Sequence, residues 1–273
     1  MTHEAIITAR GLRKEFPSAG RSPVVAVDDV SFELFPNECL AIVGESGSGK
    51  TTVARMLVGL ESVSGGTITV HGNSRTQGVH KLSDRRRWAR EVQYVFQDPY
   101  SSLNGRQRIG DVISSNVRLH AAPSQTPRQI QMEAHEILES VGLDSKFFQR
   151  FPRELSGGQR QRVAIARALA AKPEVIVLDE AVAALDVSIQ AQILNLLSDI
   201  RAAQKVSYLF ISHDLAVVNQ ISDRMIVMEQ GRVVDSGATA ELLANPQHGY
   251  TRALRAAVPG PGWKPVRRDK LSA

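Results

Sequence analysis

Three stretches of this sequence carry side chains suited to one chemistry, the handling of a polyphosphate. The first is Gly44-Glu45-Ser46-Gly47-Ser48-Gly49-Lys50-Thr51, which fits G-x-x-x-x-G-K-[ST]. Its glycines let successive backbone N–H groups turn toward an anion. A following helix adds N-terminal N–H groups and the positive end of its dipole. Lys50 is suited to the β- and γ-phosphates, and the Thr51 hydroxyl to Mg²⁺. The second stretch is Asp179-Glu180. Adjacent carboxylates repel, and a cation relieves that repulsion. Asp179 can hold Mg²⁺ through water. Glu180 can orient or deprotonate the water that attacks a γ-phosphate. The third is Leu155-Ser156-Gly157-Gly158-Gln159. Ser156 is a good N-cap, and the glycines expose backbone at a helix start. This is either a second anion site or a capped helix and nothing more.

These residues need elements to hold them. Leu40-Ala41-Ile42-Val43 reads as a buried strand, and Thr52 to Gly59 as a helix. Strand, glycine-rich loop and helix together make a phosphate loop rather than a chance match. Glu174 to Glu180 is a nearly continuous apolar run, as in a parallel strand covered on both faces. Its two acids fall at the C-terminal end, where open α/β sheets bind ligands. Val206 to Ser212 is the next buried strand, with His213-Asp214 at its end. His213 reaches the same phosphates if the two strands are neighbours; taken alone, it reads as a helix-capping residue. Glu91 to Gln97 alternates as a strand, and Asp98 to Asn104 is turn chemistry. Gln97 is either a contact to Mg²⁺ or the attacking water, or an ordinary strand-end amide.

Elsewhere, Ala5-Ile6-Ile7, Val24 to Val27 and Val30 to Leu34 predict short strands with turns between. Phe16 either stacks on an adenine ring or packs under these strands. Gly66 to Gly72 is a glycine-bounded strand, with His71 at the surface. Arg85 to Arg90 reads as a solvated helical face. From Ile109 to Ala170 the spacing turns helical: Ile109, Val112, Ile113, Val117, then Ile130, Ala134, Ile137, Leu138, Val141. Ala122 to Pro127 is a loop within that block. Asp186 enters a helix with a buried stripe of Ile189, Ile193, Leu196, Leu197 and Ile200. Met225 to Met228 and Arg232 to Asp235 predict a hairpin, and Thr239 to Ala244 a short helix. Pro259 opens a flexible basic tail.

Composition bounds the reading. The 273 residues, 42% of them hydrophobic, suit one large domain or one with an inserted subdomain. No apolar run approaches the ~20 residues of a membrane helix, and Met1 to Arg13 does not read as a signal peptide. The single cysteine, Cys39, excludes an internal disulfide framework. A net charge of +5 suits an anion-binding or membrane-adjacent protein and is too modest to indicate nucleic acid.

With these residues in place, the chain resembles the nucleotide-binding subunit of an ATP-binding cassette (ABC) transporter over about residues 4–258. Gly44 to Thr51 match the family's Walker A loop, with Thr52 beside it. Phe16 matches the adenine-stacking aromatic, Gln97 the glutamine loop, Leu155 to Gln159 the signature. Val175 to Asp179 match Walker B, Glu180 the catalytic glutamate, Asp186 the dimer-interface loop, His213 the switch histidine. The resemblance implies an α/β fold: a P-loop NTPase core with an N-terminal antiparallel β subdomain and an inserted α-helical subdomain. It places core and β subdomain at 1–98 and 171–258, the helical subdomain at 99–170, and the tail at 259–273. It implies ATP with Mg²⁺ held by Thr51, Gln97 and Asp179, and catalysis by Glu180, His213 and Gln97. Partners would be a second ATPase subunit, the same or a related chain, and membrane permease subunits, with a substrate-binding protein acting indirectly; no nucleic acid is expected. The expected location is peripheral, on the cytoplasmic face of the inner membrane.

Gln97 to Asn104 and Asn245 to Leu254 resemble the dipeptide, oligopeptide and nickel importers. Gly105 and Gly249 stand where that group usually has proline, and Ala181-Val182-Ala183 replaces proline-threonine-serine. Some relatives carry a cysteine-bearing C-terminal extension for an iron–sulfur cluster; no cysteine follows Cys39, so none is expected. The alternative is an ABC ATPase in a soluble complex, such as one for phosphonate degradation.

Overall fold

The computed structural model of the protein describes residues 4–18, 21–76, 82–98 and 103–257. The expected tail, and residues 99–102 of the expected turn, lie outside them. The chain divides into two units, residues 1–78 with 208–273, and residues 79–207. The first opens with β1 (Ile7–Ser18), β2 (Arg21–Leu34), β3 (Cys39–Val43), α1 (Lys50–Leu57), β4 (Gly65–Val70) and β5 (Asn73–Ser74). The second holds α2 (Leu82–Glu91), β6 (Val92–Val95), α3 (Ile109–His120), α4 (Pro127–Ser140), α5 (Gly157–Leu169), β7 (Val175–Asp179) and α6 (Val187–Gln204). The chain then returns to the first through β8 (Ser207–Ser212), α7 (Leu215–Ile221), β9 (Arg224–Glu229), β10 (Arg232–Ala238), α8 (Thr239–Ala244) and α9 (Gly249–Ala256).

In the first unit an antiparallel sheet runs in the order β2-β1-β4-β5. Its long strands differ from the short ones predicted. Val24 to Val27 and Val30 to Leu34 fall in one strand, and β1 continues through Leu12 to Ser18. Gly11 and Asp29 explain the difference. Both have φ of 58°, and the register shifts beside them, between Ala9 and Leu12 and again between Leu12 and Lys14. They are β-bulges, which interrupt side-chain alternation without ending a strand.

Also in the first unit, β3 is parallel to β8 and β9, and β10 closes an antiparallel hairpin on β9. Every residue of β3 and β8 is buried, which is why both read as apolar runs rather than alternating ones. Leu40 and Ile42 are fully buried; a side chain of this size contributes about 1.5–3 kcal/mol when it leaves water. The hairpin turns through Gln230 and Gly231, at φ 47° and 83°.

In the second unit β6 pairs in parallel with the wholly buried β7. The helical spacing holds: α3 buries Ile109, Val112, Ile113 and Val117, and α4 buries Ile130, Ala134 and Leu138. Ile137 is half-buried instead. Pro127, expected in a loop, is the first residue of α4. Thr126 caps that helix and forms a capping box with Gln129, and proline is tolerated at a position whose N–H has no helical partner. The buried stripe of α6 is Ile193, Leu194, Leu197 and Ile200; Ile189 and Leu196 are half-buried.

Candidate functional site

The loop between β3 and α1 surrounds an ammonium. Lys50 is 4% exposed, and its Nζ donates to the carbonyls of Gly44 at 2.8 Å and Glu45 at 2.7 Å. Ser48 Oγ lies 3.4 Å from the same nitrogen. The loop can wrap this tightly because two glycines meet backbone from other strands. A Cβ on Gly44 would lie 2.2 Å from the Met228 carbonyl oxygen, and one on Gly49 2.4 Å from that of Ala26. Gly49, at φ 100°, is also the N-cap of α1. The Gly231 N–H of the β9–β10 turn donates to the Ser48 carbonyl at 3.1 Å. Glu45, Ser46 and Gly47 form the exposed lip, and Thr51 and Thr52 are half-buried on the first turn of α1.

Phe16 sits in β1, half-buried, with Lys14 Nζ 4.9 Å from its ring centroid. It is not part of the buried core. His213 is exposed at the end of β8. Asp214, not His213, caps α7, accepting the N–H groups of Ala216 at 2.8 Å and Val217 at 3.4 Å. The capping explanation for His213 is therefore taken by its neighbour.

In the second unit, Asp179 ends β7 at 4% exposure, and the Tyr94 hydroxyl donates to its Oδ2 at 2.5 Å. Glu180 follows at φ 47°, left-handed backbone that costs a non-glycine residue about 1–3 kcal/mol. That turn brings Glu180 to Gln97, whose Nε2 donates to Glu180 Oε2 at 2.8 Å. Gln97 lies two residues beyond the end of β6, so the predicted strand ends earlier than Gln97. Among the described residues no group of three acids, histidines or cysteines could hold a metal ion. This donor set fits Mg²⁺, which takes one or two protein ligands and completes its shell with phosphate and water.

Segment 155–159 is a capped helix start. Ser156 Oγ accepts the Gln159 N–H at 3.3 Å, and Gln159 Oε1 accepts the Ser156 N–H at 2.9 Å. Gly158 is buried against α6, where its Cβ would lie 2.5 Å from Ile189 Cγ2. Gly157 is exposed. Asp186 caps α6 through the Ile189 N–H at 3.0 Å. A hydrogen bond from the Ser188 hydroxyl, and then that from Ile189, hold its carboxyl below the usual range.

Two tyrosines escaped the sequence reading: Tyr94 on Asp179, and Tyr250, whose hydroxyl oxygen accepts the Glu45 N–H at 2.8 Å. A buried tyrosine in a strand demands a polar partner, so Tyr94 carried a readable signal. Tyr250 carried none beyond its place in the importer-like segment.

A model of the ABC transporter family matches residues 27–183. This chain belongs to the ABC transporter family. Among its ABC relatives, the oligopeptide transport ATP-binding protein OppF of Bacillus subtilis is 42% identical, across 94% of this chain and 84% of that protein. The di/tripeptide transport ATP-binding protein DppF of Pseudomonas aeruginosa is 43% identical, across 94% and 80%. A probable peptide ABC transporter ATP-binding protein of Sinorhizobium fredii is 47% identical, across 94% and 74%. The fold is that of the dimeric, post-hydrolysis cassette MJ0796 bound to ADP and Pi, at TM-score 0.77 and 24% identity over 85% of this chain and 98% of that one. CbiO1 of Clostridium perfringens, part of the transporter complex cbiONQ, aligns at TM-score 0.76 and 25% identity over 92% and 95%.

Proposed function

We propose that this ABC protein is the ATP-hydrolysing subunit of a peptide importer. The observation that carries this is 42–47% identity, over 94% of the chain, to proteins named for peptide or oligopeptide transport, one of them for peptide import. Their names favour peptide over nickel as cargo. In this reading residues 1–258 are the ATPase domain, with 99–170 as its helical subdomain. Lys50 leaves the Gly44 and Glu45 carbonyls for the β- and γ-phosphates, and Phe16 stacks on the base. Asp179, Gln97 and Thr51 would hold Mg²⁺, which neutralises phosphate charge when bound. Glu180, held by Gln97, orients and deprotonates the attacking water, and His213 stabilises the charge that develops. A well-placed group of this kind is worth about 2.7–4 kcal/mol.

Segment 155–159 acts on the nucleotide bound to a second ATPase subunit, and Asp186 lies at that interface. ATP thereby bridges two chains, and hydrolysis loosens them. No helix among the described residues is long and apolar enough to cross a membrane. In this reading transport relies on a permease, with this subunit on the cytoplasmic face of the inner membrane. The test is co-purification of the tagged chain from gently solubilised membranes of its host, with ATPase assays of wild type and Glu180→Gln. A multi-span permease with a peptide-binding partner, and activity lost in the variant, is the expected result. An active ATPase recovered only with soluble enzymes would refute the importer.

A further inference from the structure

Tyr250 lies on α9, 205 residues from Glu45, yet its hydroxyl oxygen accepts the Glu45 N–H at 2.8 Å. The carbonyl of the same Glu45 accepts Lys50 Nζ at 2.7 Å. One residue of the phosphate loop is thus held through its N–H by α9, while through its C=O it holds the lysine. Glu45 is exposed and lies between Gly44 and Gly47, both at positive φ. Such a stretch has many backbone conformations to lose when it closes on a ligand.

The helix that presents Tyr250 is tied down along its length. His248 Nδ1 accepts the Tyr250 N–H at 3.2 Å, and the His248 N–H donates to Asp235 Oδ2 at 3.3 Å. Arg252 Nη1 donates to the Gln247 carbonyl at 2.8 Å, and Arg255 Nη1 to that of Ala244 at 3.0 Å. Thr251 is fully buried. A hydroxyl on so anchored a helix is a fixed point for the loop.

We propose that Tyr250 is a positioning residue of the phosphate loop: it fixes the Glu45 peptide, and with it the backbone that closes on the phosphates. The inference rests on the reading of this loop as the nucleotide site. Order supplied before binding is not charged against affinity, so the hydroxyl tightens binding without touching the nucleotide.

The test is Tyr250→Phe in the full chain, which removes one oxygen and keeps the ring. Equilibrium binding of MgATP and MgADP is compared with wild type, and adenosine is measured by competition against a fluorescent MgATP analogue. Both phosphorylated ligands should bind about fivefold more weakly, the scale of one neutral hydrogen bond. Adenosine affinity should stay the same, and the nucleotide-free protein should melt within a few degrees of wild type. Equal MgATP affinity in variant and wild type would overturn the inference and leave the nucleotide reading intact. So would a parallel loss of adenosine, which would mark Tyr250 as merely structural. A wild type that binds no MgATP would overturn the nucleotide reading, and this inference with it.

Discussion

The phosphate loop and segment 155–159 are both glycine-rich helix starts, but they are built in opposite ways. In the loop the glycines serve the backbone. Gly44 and Gly49 approach the carbonyls of Met228 and Ala26 too closely for any Cβ, and the loop closes on Lys50. In segment 155–159 the backbone is ordinary. Ser156 and Gln159 cap α5 in the manner of many helices, Gly158 makes room for Ile189, and Gly157 faces outward. In the proposed reading, the first brings its own cation to a bound anion. The second offers an exposed helix end and no lysine, which suits a segment that completes a site held by another chain.

Substitutions should separate the two constructions. The largest effect is expected for Gly44→Ala, which drives a methyl into the Met228 carbonyl at 2.2 Å. A loss above about 4 kcal/mol in urea denaturation is expected, since backbone cannot yield as a side-chain tip can. Gly158→Ala meets a side chain, Ile189, at 2.5 Å. Overpacking of this kind should cost about 1–3 kcal/mol in the same assay. If the two variants cost the same, the contrast between backbone-limited and packing-limited glycine is wrong.

A smaller effect, of opposite sign, is expected on the α9 side of the phosphate loop. Gly249 is the first residue of α9, and His248 before it has φ −83° and ψ 142°, a conformation proline accepts in its predecessor. Gly249→Pro should stabilise the protein by about 0.4–1 kcal/mol through the unfolded chain, read as a rise in denaturation midpoint. Destabilisation would show that α9 is not held as described.

The smallest effect concerns Asp186, which caps the helix that packs on Gly158. Its folded pKa lies below the ordinary value, first through Ser188 and then Ile189. Such a carboxylate stabilises the fold above its unfolded value of about 3.9, and that contribution fades as pH falls through the folded pKa. Melting temperature measured from pH 6 down to pH 3 should therefore fall less steeply in Asp186→Asn than in wild type. Identical slopes would remove Asp186 from the account.

Much of this was legible in the chain because the signals are local. Helical spacing marks α3 and α4, continuous apolar runs mark β3, β7 and β8, and Ser156 before two glycines marks the start of α5. What escaped was of two kinds. Gly11 and Asp29 look like turn residues, and a bulge uses the same residue types without ending the strand. Tyr94 and Tyr250 reach partners 85 and 205 residues away, which no window on the sequence contains. Asp214 was a third lesson: beside a histidine at a strand end, the better helix cap won, and His213 was left at the surface.

The most direct test sets Lys50→Ala against Gly157→Asp, with MgATP affinity measured on each single chain and turnover on the assembled complex. An acid at the first position of α5 favours the helix and repels a triphosphate, and the Gly157 Cβ would meet nothing closer than Leu185 Cδ2 at 3.4 Å. Lys50→Ala should lose MgATP binding outright. Gly157→Asp should bind MgATP as wild type does and lose turnover by at least about 100-fold. Weakened single-chain binding in Gly157→Asp, or turnover left intact, would contradict the account that the two segments grip one nucleotide from opposite chains.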